Sequence, residues 1–414
     1  MPAQTDDTTT ILRNTSMALT AVGEGLGLIK GAAIVIKGRS IAWVGAEKDM
    51  PSSLADDAAI RDLEGRLVSP GLVDCHAHPV FAGRRADEFA RRARGDHYLD
   101  IAREGGGIMA TVRATREASQ DELIELSCAR MRFALKSGTT TMEAKSGYDL
   151  TSDGELRLLE VAAAVSAKQA VALRPTLLGA HALPPEFVGN RPGFIETVIE
   201  EMIPRAASTR AAEAVDVYCD EGAFTLEETR LILEAAKRNG LKTKAHIGQF
   251  ADLGAAQLLA ELGSLSGDHL EVVSNEGLRA MAQAGVVATL LPGACVQLRM
   301  TPPPVEAMRN AGVAMAIGSD LNPGTSHSES LPLAMWLATT HYGMSVEEAW
   351  LGVTRNAARA LGDASLGSIA EGGPADLVVW DAELPAEVPY HFGVNLVDSV
   401  YKSGDIVWAS STGC

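Results

Sequence analysis

The chain has 414 residues, and 53 acidic against 36 basic side chains leave a formal net charge of −17. That balance argues against a nucleic-acid backbone or an anionic membrane surface as the main partner. An anionic substrate would need a local basic grip. Hydrophobic residues make up 46% of the chain, enough for a large core. No apolar run approaches the ~18 residues that suggest a membrane span.

The five cysteines are odd in number and show no CxxC spacing. A disulfide framework is therefore not expected, and a reducing, cytoplasmic compartment is. The first residues carry two early aspartates and no long apolar run, unlike a secretion signal.

In chain order, two short β-rich runs at 33–36 and 41–44 flank a Lys37-Gly38-Arg39 turn. The last fifty residues give further short strands broken by Gly, Pro and Asp. These two ends predict a small β-sandwich built from residues 1–66 and 367–414. Between them, strands are expected at 67–75, 139–143, 172–178, 215–219, 241–246, 264–269, 286–291 and 313–319. Most are nearly continuous in apolar or small residues, as parallel strands covered on both faces are. Helix starts punctuate the runs: Ser119 with Glu122, Thr225 with Glu228 and Ser345 with Glu348 read as capping boxes. Eight strands alternating with helices predict a (β/α)8 barrel over residues 67–366. A doubly wound open sheet is the runner-up, but no glycine-rich phosphate loop follows the first strand.

Such a barrel places its chemistry at the C-terminal ends of its strands. His76 and His78 follow the first strand, and alternate residues of an extended segment face the same way. His181 follows the third strand, His246 ends the fifth, His269 the sixth and Asp320 the eighth. Taken singly, each has an ordinary reading as a hydrogen-bonded structural residue or turn former. All at one mouth, they point to a metal site. Imidazoles with a carboxylate suit one divalent ion, Zn(II) or Fe(II). The chemistry predicted is hydrolysis at a carbon bonded to nitrogen.

These residues, together with Lys145-Ser-Gly-Tyr148, Arg103-Glu-Gly-Gly-Gly-Ile108, Leu178-Gly-Ala-His-Ala-Leu-Pro-Pro-Glu186, Asp320-Leu-Asn-Pro-Gly-Thr325 and Pro389-Tyr-His-Phe-Gly-Val-Asn395, resemble the imidazolonepropionase branch of the amidohydrolase superfamily. The resemblance runs from about residue 33 to residue 407. It implies His76, His78, His246 and Asp320 as metal ligands, and His269 as the partner of the attacking water. It implies His181 and Gln249 at the substrate ring, with Arg85, Tyr98 and Tyr148 holding the ring and its propionate tail. Asn322 and Gly324 join the substrate side. Such a guanidinium and hydroxyls would supply the basic grip, and a homodimer is also implied. Lys145 reads as structural in a one-metal site.

The chain departs from the branch pattern at Ile247-Gly248, where an acid is usual, and at Cys295-Val296, where an aromatic pair is common. It also departs at His327, where a proline is usual, and at Asp149, where a glycine is. Either these are drift, or the ring differs. The implied reaction opens 4-imidazolone-5-propanoate to N-formimidoyl-L-glutamate. In it Asp320 protonates the leaving nitrogen, and His181 or the metal polarises the carbonyl oxygen. The alternative is a 5-oxo-2-thioxoimidazolidine propionate losing sulfide at C2. A non-catalytic sensor of an imidazole-like ligand is disfavoured by the complete ligand set, and a nucleobase deaminase by the implied carboxylate grip.

Overall fold

The computed structural model describes residues 8–96, 101 and 104–410. Eight parallel strands lie side by side in sequence order: Leu72–Asp74, Thr139–Lys145, Ala172–Ala180, Ala214–Cys219, Lys242–Ile247, Ser266–His269, Val287–Leu290 and Met315–Ile317. Every residue of Thr139–Lys145 and of Val287–Leu290 is buried, because helices cover the outer face and side chains fill the inner one. The ring closes just beyond the first and last strands. The His78 N–H donates to the Leu321 carbonyl and the Asp320 N–H to the His76 carbonyl, each at 2.9 Å. The segments that seal the barrel are thus the ones carrying His76, His78 and Asp320.

One expected strand is two. The run 67–75 is mostly apolar, but Leu67–Pro70 pairs antiparallel with Leu377–Trp380 in a terminal sheet, and only Leu72–Asp74 enters the barrel. The chain changes sheets at Gly71, where an added Cβ would lie 2.3 Å from the Thr140 hydroxyl oxygen. Only glycine permits so close a passage.

The termini form two sheets. One holds Thr9–Arg13, Ala32–Lys37, Ser40–Ala46 and Ala59–Asp62. The other interleaves N-terminal Met17–Leu19, Leu28–Lys30 and Leu67–Pro70 with C-terminal Leu377–Trp380, Val397–Lys402 and Asp405–Ala409. Ile34, Ile36 and Leu12 from the first pack with Val68, Leu377, Val379 and Tyr401 from the second. Trp380 anchors this unit to the barrel by meeting Trp350 edge-on, while its indole N–H donates to Ser69 within the terminal sheet at 2.9 Å.

The helix starts lie where the sequence places them. Thr225 and Ser345 make full capping boxes with Glu228 and Glu348, opening Leu226–Arg238 and Val346–Gly352. Ser119 caps Gln120–Lys136 by accepting from the Glu122 N–H, a one-way cap rather than the expected box. Among the described residues, no helix is long and apolar enough to cross a membrane.

Candidate active site

Four imidazoles gather at the C-terminal mouth. The His76 ring lies 5.3 Å from His78, 4.5 Å from His246 and 5.8 Å from His269, centroid to centroid. Asp320 Oδ1 stands 3.4 Å from His76 Nε2 and 3.7 Å from His78 Nε2. His76, His78 and Asp320 each offer a ligand atom within 4.8 Å of the others, and so do His76, His246 and His269. His269 and Asp320 sit in the left-handed region, at φ 84° and 50°. Such strain in non-glycine residues gathers at functional sites.

Two of the rings are fixed from behind. His76 Nδ1 donates to Asp268 Oδ2 at 2.6 Å, and His246 Nδ1 to Asp216 Oδ1 at 3.0 Å. Each carboxylate holds the tautomer whose Nε2 lone pair can bind a cation. His76 Nε2 is fully buried and has no hydrogen-bond partner among the described residues, and its lone pair suits a metal ion. Burial, together with the neighbouring Lys145 or imidazoles, pushes His76, His78 and His246 far below the usual histidine range. Neutral imidazole is the form that ligates. Burial also raises Asp320 to about 8.

Beneath the rings lies a buried charge cluster. Lys145 contacts Asp216, Glu143 at 3.0 Å and Asp268 at 3.5 Å. Lys244 reaches Glu143 and the Cys75 carbonyl, both at 2.8 Å. Burial alone would lower the Lys145 ammonium, but its three carboxylate neighbours raise it. Lys145 therefore orients the two aspartates that orient the histidines.

The residues expected on the substrate side are also held in place. His181 Nδ1 donates to the Gly147 carbonyl at 2.9 Å, and burial lowers the ring to about 4. Its Nε2 is then an acceptor. The expected polarisation of a carbonyl oxygen by His181 does not fit this tautomer, whereas acceptance from a ring N–H does. Tyr148 lies against both His78 and His181, ring centroids 5.7 and 5.4 Å away. Its loop is held by Glu155, which accepts from the N–H groups of Gly147, Asp149 and Leu150. Gln249 Oε1 accepts from the Tyr218 hydroxyl at 2.9 Å, so its amide presents N–H donors.

Arg85 is buried and donates twice to Glu88, at 3.0 and 2.8 Å. Gly324 makes room for it: a Cβ there would lie 2.3 Å from Arg85 Nη1. Asn322 turns its amide back on its own loop, donating to the Asp320 carbonyl and accepting from the Gly324 and Thr325 N–H groups. It shapes the loop rather than presenting a spare amide. Tyr98 lies outside the described residues.

Sequence reading missed Asp216, Asp268, Tyr218, Glu155 and Glu271. Glu271 is buried with both carboxyl oxygens unpartnered among the described residues, 3.9 Å from His269 Nδ1, and burial raises it to about 8. Asp268, one residue before His269 and inside a strand, was the one signal available.

A family model described as the amidohydrolase family matches residues 67–407. The chain is 46% identical to the imidazolonepropionase of Rhizorhabdus wittichii over 378 residues, covering 91% of this chain and 94% of that one. It is 47% identical to that of Paracoccus denitrificans over 384 residues, covering 92% and 96%. In fold it is similar to A. niger ochratoxinase, with a TM-score of 0.72 at 20% identity over 99% of this chain and 98% of that one. Guanine deaminase from C. acetobutylicum, carrying bound guanine, is also similar, with a TM-score of 0.72 at 16% identity over 97% and 100%. With a barrel, a histidine–aspartate mouth and relatives matched over most of their length, the chain belongs to the amidohydrolase family, on its imidazolonepropionase branch.

Proposed function

We propose that this chain hydrolyses 4-imidazolone-5-propanoate to N-formimidoyl-L-glutamate, with His76, His78, His246 and Asp320 holding one zinc ion. The observation that carries the reading is the convergence of these donors, two of the imidazoles backed by buried aspartates. The curated relatives, named imidazolonepropionase and about equally similar to this chain, supply the ring.

When bound, the ion supplies Lewis acidity and a water pKa lowered to about 7. The residues do the rest. Asp320 takes a proton from the attacking water as it adds to the ring carbonyl carbon, and returns it to the nitrogen released when the C–N bond breaks. His269 orients that water. His181 Nε2 accepts from a ring N–H, and Gln249 donates to a ring acceptor. Arg85, oriented by Glu88, holds the propionate with Tyr148.

A side-by-side turnover assay of zinc-loaded protein tests this. Ring opening of the imidazolone without sulfide release is the expected result. Sulfide from the 5-oxo-2-thioxoimidazolidine counterpart, with a sluggish imidazolone reaction, would overturn the ring assignment. Elemental analysis of the purified protein separates zinc from iron.

A further inference from the structure

Outside the mouth, a cavity of about 430 Å³ lies between helices Ala86–Arg94, Pro292–Leu298 and Leu331–His341. That volume lies within the range of small-molecule sites. None of the proposed metal or ring residues lines it; it meets their segment only at Ser319 and Ser326, joined by a hydrogen bond of 2.6 Å. Its lining is one-sided in charge. Arg92, Arg299, Gln297 and His327 face it, and among the described residues no aspartate or glutamate does, in a chain of net charge −17. Its far wall is apolar, from Leu333, Ala334 and Leu337 on one helix with Val296 opposite. Val296 and His327 are two of the positions where the chain departs from its branch.

We propose that this cavity binds a small organic carboxylate with an apolar body. Charge selects the anion, since the Arg299 guanidinium and the Gln297 amide can meet a carboxylate at the cavity rim. The aliphatic wall takes the body by ordinary apolar burial. The donors are already held in place: Arg92 Nη2 at 2.8 Å and Gln297 Nε2 at 3.1 Å both donate to the Gly324 carbonyl. Arg299, exposed and at φ 57°, ends its helix at the cavity rim. The proposal is independent of which ring the enzyme opens.

Calorimetric titration of the full chain with 3-phenylpropionate, and with neutral 3-phenylpropionamide, tests it. The acid is expected to bind at least about tenfold more tightly than the amide. Arg299→Glu reverses the charge at an exposed position, and Val296→Trp fills the space; each is expected to weaken the acid by about tenfold or more. Arg85→Met, which alters the proposed catalytic clamp, is expected to leave that binding in place. No acid binding, equal binding of acid and amide, or binding lost with Arg85→Met but kept in both cavity variants would overturn the proposal.

Discussion

The barrel interior and the terminal β-sandwich are built on opposite principles. The core between the terminal sheets is mainly aliphatic, with Leu12, Ile34, Ile36, Val68, Leu377 and Val379 all 0% exposed. The barrel interior buries Glu143, Lys145, Asp216, Lys244 and Asp268 just as deeply. Apolar burial stabilises directly, whereas desolvating five charges costs free energy that their pairing only offsets. The barrel therefore retains a cluster that contributes little to stability because it sets two imidazoles. The sandwich keeps an ion pair, Lys402 with Asp376, at the edge, partly open to solvent.

The sharpest way to break that contrast is Asp268→Asn. It removes the partner of His76 Nδ1 and a counter-charge of both lysines. Breaking a buried ion pair costs about 3–5 kcal/mol, and losing the support behind a ligand weakens metal affinity roughly 10–100-fold. Unfolding curves and a zinc competition titration should both move. Wild-type zinc affinity in this variant would mean the cluster is structural only. Its counterpart, Ile36→Ala in the sandwich, is expected to cost about 2–5 kcal/mol. Turnover per folded, metal-loaded molecule should not change, and a fall in kcat would show the two regions to be coupled.

Glu155 sharpens the contrast within the barrel. One buried carboxylate accepts three backbone N–H groups and so sets the loop that presents Tyr148. Glu155→Gln keeps the shape but turns one oxygen into a donor facing a donor. We expect a loss of about 1.5–3 kcal/mol, and a rise in KM larger than the fall in kcat. A fall confined to kcat would place the effect elsewhere.

The two regions were also unequally legible in the sequence. The barrel strands could be read because burial on both faces makes runs such as Val287–Leu290 continuous in apolar and small residues. The ligands stood out because histidines are few and five lie at strand ends. The buried cluster stayed hidden: Asp216 and Lys145 are charges inside strands, and such a charge reads as a solvent-facing position until a partner across the barrel is known. The change of sheet at Gly71 was hidden for the opposite reason, since the residues on both sides of it are equally apolar. The glycine looked incidental, and only Thr140 explains it.

Gly248 tests whether a departure from the branch pattern acts through space or through backbone. It is left-handed at φ 60°, and an added Cβ would find its nearest neighbour, the Val273 nitrogen, at 3.6 Å, an ordinary contact. The site has room for a side chain; what glycine supplies is conformation. Gly248→Ala is therefore expected to cost only about 1 kcal/mol through its left-handed backbone. It should leave unchanged the ratio of kcat/KM between the imidazolone and its thioxo counterpart. A shift in that ratio would make Gly248 part of ring selection despite its ordinary packing. An unchanged ratio with lowered stability would leave the missing acid itself, not the small residue in its place, as the meaningful difference at this position.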